Sequence, residues 1–382
     1  MTVSTARTRL LLVGPLPIAE DVIGGTKVLF ADQVAGFESS PRFDTEVVNT
    51  SRALRGRGTI GRKLADAFAF LRVMRRIWRS CARHDAVLFN VSSRGLIASG
   101  PLVSAVCKLR GTPLILRVFG GDFGQRLDAL STPRRALLRR TVLRCDHLLL
   151  ETEGLCETLR KEPGGERRVE RYPNTRNLRP TPRATIEPGR DLHFLFLGQI
   201  WHEKGFLHAL EASDQLTGSA SVEFYGPLMP GVDAAIFDAH PRANYHGSVA
   251  PQEVPAILAR HDALLFPTLY RTEGMPGVVL EAMQAGLPVI ASRWPAAHEM
   301  IDDGENGLLV DVGSTASLAR AMRVLQNSPG LCERLALRAR DTGDTFRHAP
   351  WHARLERWID ELTGKAPTVP VLANQNTHRE VA

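Results

Sequence analysis

The sequence predicts an α/β protein made of two parallel-sheet halves, and three observations carry that expectation. Strand-like and helix-like patterns alternate along the chain, the alternation lapses once near the middle, and 382 residues are more than one hydrophobic core usually serves.

Taken in order, Arg9 to Val13 reads as a strand, Thr26 to Phe37 as a helix, and Thr45 to Asn49 and Ala86 to Val91 as strands. Pro113 to Phe119 is a further apolar strand, and His147 to Thr152 is the last of this series. From Arg167 to Arg190 the chain is rich in Pro, Arg and Thr without a sustained period, which marks a linker. A second series follows. Leu192 to Leu197, Ser221 to Tyr225, Ala263 to Pro267 and Pro288 to Ala291 read as strands, and Phe206 to Ala212, Gln252 to Arg260, Gly277 to Ala285 and Thr315 to Asn327 as helices. A final helix covers about Trp351 to Leu362. The expected division is residues 1–185, 186–345, a returning helix at 346–364 and a disordered tail at 365–382. Two Rossmann-like halves are the economical reading.

Composition narrows the function class. Apolar residues make up 43% and charged residues 23%, ordinary values for a globular protein, and no apolar run approaches the roughly 18 to 20 residues that span a bilayer. The N-terminus runs into a Gly-Pro turn without a small-residue cleavage site, so it reads as a first strand and not a signal peptide. Five cysteines show no C-x-x-C pair or zinc spacing, so no metal is expected and a cytoplasmic location fits.

Charge is uneven. Residues 1–190 hold 33 Lys/Arg against 18 Asp/Glu, and the remainder 15 against 23, so a net +7 divides into +15 and −8. Between Arg52 and Arg83 ten basic residues accompany one acid, Asp66, with Leu64, Phe68, Leu71, Val73, Met74, Ile77 and Trp78 interleaved. Such a segment either lies on anionic lipid headgroups or is a solvated basic face over a core helix. No nucleic-acid module accompanies the charge, and no nucleic-acid partner is expected.

The most informative segment is Thr272 to Ala291. Glu273 and Glu281 stand eight residues apart, Pro276 suits a first helical turn, and a helix starting at Gly277 puts Glu273 in the preceding loop and Glu281 about one turn inside. A helix N-terminus offers free N–H groups to a diphosphate, and carboxylates beside it need hydroxyl donors as partners. A capping loop with two surface glutamates would use the same residue types.

The segment resembles the E-x7-E signature of glycosyltransferase family 4, the large retaining family of GT-B fold, in which two Rossmann-like domains face each other across a cleft. The resemblance covers roughly residues 9–362. It implies that Glu273 holds the donor sugar, that Glu281 holds the ribose, and that Gly274, Met275, Pro276 and Gly277 form the phosphate-facing turn. Gly198-Gln199 followed by Glu203-Lys204-Gly205 is similar to the family's phosphate loop, with Gln199 where an arginine is common and Lys204 as the remaining cation. His246-Gly247-Ser248-Val249 resembles the base-binding turn, which places the backbone at Val249 on the nucleobase. Gly24-Gly25 resembles the glycine-rich loop that reaches the distal phosphate, although a plain turn reads the same. Pro173-Asn174 resembles the turn that closes the first domain, with Thr175 where glycine is usual. Family members often carry histidine where this chain has Phe119, and Arg117 and Asp122 are the candidates to replace it.

The resemblance thus implies transfer of a hexose, with retention, from a nucleotide-diphosphate sugar, UDP by base rate, without a metal or other cofactor. The expected acceptor is a lipid-linked or saccharide molecule of bacterial surface polysaccharide assembly, met at the inner face of the cell membrane. A nucleotide-sugar 2-epimerase, a phosphorylase and a non-catalytic sugar-nucleotide-binding protein share the fold. The first would use acid and base groups where Phe119 stands, and the second a pyridoxal-phosphate lysine and a longer chain.

Overall fold

In the computed structural model the described residues are 7–18, 25–51, 60–164, 168–179, 181 and 190–365, with the backbone alone described for 60–66. Gly24, the basic residues Arg52, Arg55 and Arg57, residues 167, 180 and 182–189 of the linker and the expected tail beyond residue 365 lie outside them.

The first half runs β1 (Thr8–Gly14), α1 (Gly25–Ser39), β2 (Phe43–Asn49), α2 (Ile60–Cys81), β3 (Ala86–Ser92), α3 (Ser93–Arg110), β4 (Leu114–Phe119), α4 (Phe123–Asp128), α5 (Thr132–Arg140), β5 (His147–Leu150), α6 (Glu153–Arg160) and β6 (Arg168–Arg171). Its strands lie in the order β2-β1-β3-β4-β5-β6, every pair parallel. The continuous apolar runs of β1, β3 and β4 are buried from end to end or nearly so, because helices cover both faces of a parallel sheet. Ser92 caps α3 by accepting from the Gly95 amide at 3.2 Å, and Gly111, at φ +66°, ends it in the left-handed region.

The second half runs β7 (His193–Leu197), α7 (Phe206–Ser213), β8 (Ser221–Tyr225), β9 (Ala243–Tyr245), α8 (Val254–Ala259), β10 (Ala263–Phe266), α9 (Gly277–Gln284), β11 (Val289–Ser292), β12 (Gly307–Val310), α10 (Thr315–Gln326), α11 (Pro329–Asp344) and α12 (His348–Thr363). The order is β12-β11-β10-β7-β8-β9, again all parallel. In this sheet the winding reverses between β7 and β10, and in the first between β1 and β3. Loops part at such points and leave a crevice at the carboxyl ends of the strands.

Some elements differ from the sequence expectation. β6 falls inside the stretch read as linker, because only Val169 of its four residues is buried and an edge strand needs no apolar run. β9, three residues long, and α11, whose basic and acidic residues obscure its apolar stripe, were not expected as elements. Helix α12 packs Leu355, Trp358 and Ile359 into the core of the first half, against Leu10, Leu12, Phe30 and Phe37, and Arg42 bonds Glu356 at 3.0 Å.

On α2 the apolar residues divide. Val73, Met74, Ile77 and Cys81 face the core, whereas Phe68, Leu71 and Trp78 are 65, 61 and 42% exposed. At helical spacing these three share an exposed stripe with Arg72, Arg75 and Arg79. Neighbouring α3 and α5 add exposed Leu102, Leu109 and Leu137. No helix among the described residues is long and apolar enough to cross a membrane.

Candidate active site

Glycines set the floor of the site in the second half. Gly198, Gly226 and Gly247 follow β7, β8 and β9 at positive φ, and a Cβ on Gly226 would come within 1.7 Å of the Gly198 carbonyl. The strand ends therefore close on one another only without side chains. The loop after β7 carries half-buried Gln199 and then Lys204, and Gly205, at φ +74°, leads into α7.

Lys204 and Glu273 meet across the point where the second sheet reverses. Lys204 Nζ donates to Glu273 Oε2 at 2.5 Å, the Thr268 hydroxyl donates to the same oxygen at 3.4 Å, and the ammonium lies 5.4 Å from the Phe266 ring centroid. The loop after β10 thus brings the carboxylate to the cation from the loop after β7. Past Glu273, Gly274, Met275 and Pro276 are buried, and α9 starts at Gly277 as the proline predicts, with no side-chain cap and no acidic residue in its first turn.

Glu281, one turn into α9, accepts from Arg176 Nε at 2.7 Å. Burial pushes its carboxyl above the usual range and the adjacent Arg176 pulls it back. Sequence reasoning missed Arg176. It follows Asn174 in the segment leaving β6 and looked like one more linker arginine; the only signal was its place beside the Pro173-Asn174 turn. Val249 is half-buried against the apolar cluster under α9.

The first half meets these loops closely. A Cβ on Gly121 would approach the Glu273 carbonyl at 3.0 Å, and Glu151, after β5, accepts from the Met275 amide at 3.3 Å while Asn174 Nδ2 donates to the Met275 carbonyl at 2.7 Å. Glu299 of the second half caps α6 of the first, accepting from the amides of Glu153 and Gly154 at 2.8 and 3.0 Å.

Asp122 is held by Arg126, one turn further on. Phe119 is buried under Arg117, whose guanidinium carbon lies 4.8 Å from the Phe119 ring and 4.5 Å from that of Tyr172. Arg117 is 2% exposed, and among the described residues its Nε and Nη2 have no hydrogen-bond partner. Burial lowers the guanidinium's pKa, and Tyr172 and Glu151 oppose that. Beside it in register is Asn90, equally buried, and Asn90, Gln33 and the Tyr172 hydroxyl also have polar atoms without a partner among the described residues. Gly25 is exposed at the start of α1; Gly24 lies outside the described residues.

Among the described residues no group of three or more His, Cys, Asp or Glu could hold a metal ion. A surface cavity of about 540 Å³, lined by His193, Ser221, Glu223 and Arg242 among others, opens at the amino ends of β7, β8 and β9, the opposite end from the side chains above.

Comparison with known proteins agrees with this layout. Residues 191–328 match the family Glycosyl transferases group 1. The 2-deoxystreptamine glucosyltransferase of Streptomyces kanamyceticus is 31% identical over 141 residues, 35% of this chain and 36% of that protein. The match thus spans little more than a third of that relative's length. Among solved structures, sucrose-phosphate synthase from Thermosynechococcus elongatus superposes with a TM-score of 0.72 at 14% identity, covering 94% of this chain and 100% of that one. Anabaena HepE in complex with UDP gives 0.68 at 13%, covering 93% and 100%. At such identities the likeness establishes the fold, and that fold is GT-B.

Proposed function

We propose that this chain, which belongs to the glycosyl transferases group 1 through its residues 191–328, is a retaining glycosyltransferase that moves a hexose from a nucleotide-diphosphate sugar to an acceptor. The observation that carries the reading is the meeting of Lys204 and Glu273, 2.5 Å apart, beside the N-terminus of α9 at the reversal point of the second sheet. A sugar diphosphate presents an anion and hydroxyls side by side, and this arrangement offers a cation with free helix amides next to a hydroxyl acceptor.

In this reading the diphosphate lies against Lys204 and the amides following Pro276, Glu273 accepts from the sugar hydroxyls, and Glu281 accepts from the ribose. As the bond from the anomeric carbon to the phosphate oxygen breaks, negative charge grows on the diphosphate, and the fixed positive groups stabilise it there. The acceptor hydroxyl attacks the face from which the nucleotide departs, its proton passing to the departing phosphate oxygen, so the configuration is kept and no protein base is assigned. Residues 272–275 lie against Gly121 and Glu151 of the first half, which limits water at the anomeric carbon. No metal or other cofactor is needed. UDP is the favoured nucleotide, in keeping with the UDP held by the structurally similar HepE.

The acceptor is a lipid-linked or oligosaccharide molecule of bacterial surface polysaccharide assembly, reached at the inner face of the cell membrane. The exposed stripe of Phe68, Leu71 and Trp78 among Arg72, Arg75 and Arg79 supports this, since it joins apolar anchors to charges that match anionic headgroups. The test is an NMR transfer assay with UDP-hexoses and a polyprenyl-diphosphate saccharide, following nucleotide release and the new anomeric signal. Retention with turnover supports the proposal, whereas inversion, or no turnover with any nucleotide sugar, overturns it. Co-sedimentation with anionic vesicles, lost when Arg72, Arg75 and Arg79 are changed to Glu, tests the membrane face; binding that survives the reversal rules it out.

A further inference from the structure

The loop after β7 has one cation fewer than the family it resembles, because Gln199 stands where an arginine is common, and Lys204 is engaged by Glu273. A second cation reaches the same region from another part of the chain. The guanidinium of Arg176 lies over the first turn of α9, so close that a Cβ on Gly277 would come within 2.0 Å of Nη2 and 2.6 Å of the guanidinium carbon. Its side chain is 10% exposed, its backbone is pinned to Phe346 at 3.1 Å, and its carbonyl accepts from Gln284 at 3.0 Å, so its position is built into the fold.

A cation at a helix N-terminus meets the positive end of the helix dipole, an unfavourable arrangement unless an anion lies between them. The first turn of α9 contains no acidic residue, and the one carboxylate that Arg176 meets among the described residues, Glu281, engages only its Nε. Glu281 bonds Nε and the Thr175 carbonyl accepts from Nη1 at 3.1 Å, which directs Nη2 toward the glycine at the head of the helix.

We propose that Arg176 is a ligand of the donor diphosphate and takes over the task of the arginine missing at position 199. The inference rests on the glycosyltransferase reading above. It makes the segment leaving β6 part of the donor site, so donor binding fastens that segment to α9. An arginine fork also suits two phosphate oxygens at once, which a lysine point charge does not.

The test is calorimetric titration of the full chain with UDP, GDP and ADP and with the parent nucleosides. Arg176→Gln is expected to weaken binding of the preferred diphosphate by roughly 10- to 100-fold, the loss typical of one hydrogen bond to a charged group, and to change nucleoside binding less than about 2-fold by the same reasoning. Adding Gln199→Arg to Arg176→Gln restores most of the diphosphate affinity. Arg176→Lys keeps a cation near Glu281 and falls between the two, which covers the case in which the glutamine variant fails to fold. An equal loss for diphosphate and nucleoside means that Arg176 acts only by holding Glu281, and unchanged affinity means that it touches neither; each result overturns the inference while the donor reading stands. Wild-type protein that binds none of the diphosphates overturns the donor reading and this inference with it.

Discussion

The two halves share one architecture, six parallel strands wound in both directions from a reversal point, yet they treat their polar groups in opposite ways. At the strand ends of the second half Lys204, Glu273 and Glu281 each have a charged partner. Under the strand ends of the first half, Gln33, Asn90, Arg117 and Tyr172 are buried with polar atoms that lack a hydrogen-bond partner among the described residues. Buried polar groups are normally satisfied, and a buried cation without a carboxylate partner is costly. In the proposed function the charged groups of the second half meet the donor together with Arg176 of the first half, and the unpartnered polar groups of the first half serve the acceptor.

The largest effect expected from that contrast is at Glu273. Glu273→Ala lowers transfer by on the order of 100- to 1000-fold, the scale of losing one group fixed against the reacting centre, with nucleotide affinity kept. Equal turnover in the variant would detach the site from the Lys204–Glu273 pair. Next comes Arg117→Met, which removes the unpartnered charge and fills its volume. Replacing a buried charge by an apolar side chain is often neutral or stabilising, so the melting temperature stays within about 2 °C of wild type or rises, while transfer falls with donor affinity unchanged. A clear drop in melting temperature would show the cluster to be structural and dissolve the contrast.

Glu281→Ala weakens nucleotide binding by roughly 10-fold, the order expected for lost charged hydrogen bonds, while turnover at saturating donor changes less. A variant that binds as tightly as wild type would remove Glu281 from the donor site.

The smallest effect concerns pH. Burial, with His348 and Arg117 adding to it, lowers the His352 imidazole to about 4 from an ordinary 6.5. Between these values the unfolded chain takes up a proton that the folded chain refuses, so this stabilisation is complete above pH 6.5 and is lost as pH falls toward 4. His352→Leu reduces the slope of melting temperature against pH in that window and leaves the share of His147, which burial also holds at about 4. An unchanged slope would show that α12 carries no such load where it packs on the first half.

The same contrast explains what could be read in advance. In the second half the candidate site falls in continuous stretches, 198–205 and 272–281, where glycine, proline and carboxylate spacing each has a local physical reason, so the start of α9 was legible. The first half assembles its polar cluster from α1, β3, β4 and the segment after β6. Taken singly, Gln33 and Asn90 look like solvent-facing residues of ordinary elements, and only the register that sets Asn90 beside Arg117 brings them together. Arg176 escaped for a related reason: its partner, Glu281, is 105 residues away. The basic segment at 52–83 showed its charge in the sequence, but which of its apolar residues turn outward is decided by packing against α3.

The most direct test of the central claim is calorimetry of the wild-type chain with UDP, GDP and ADP and their hexose conjugates, paired with Glu281→Ala under the same conditions. The account predicts saturable binding of one nucleotide sugar above the others, weakened in the variant; no binding by any of them, or binding that the variant leaves untouched, would contradict it.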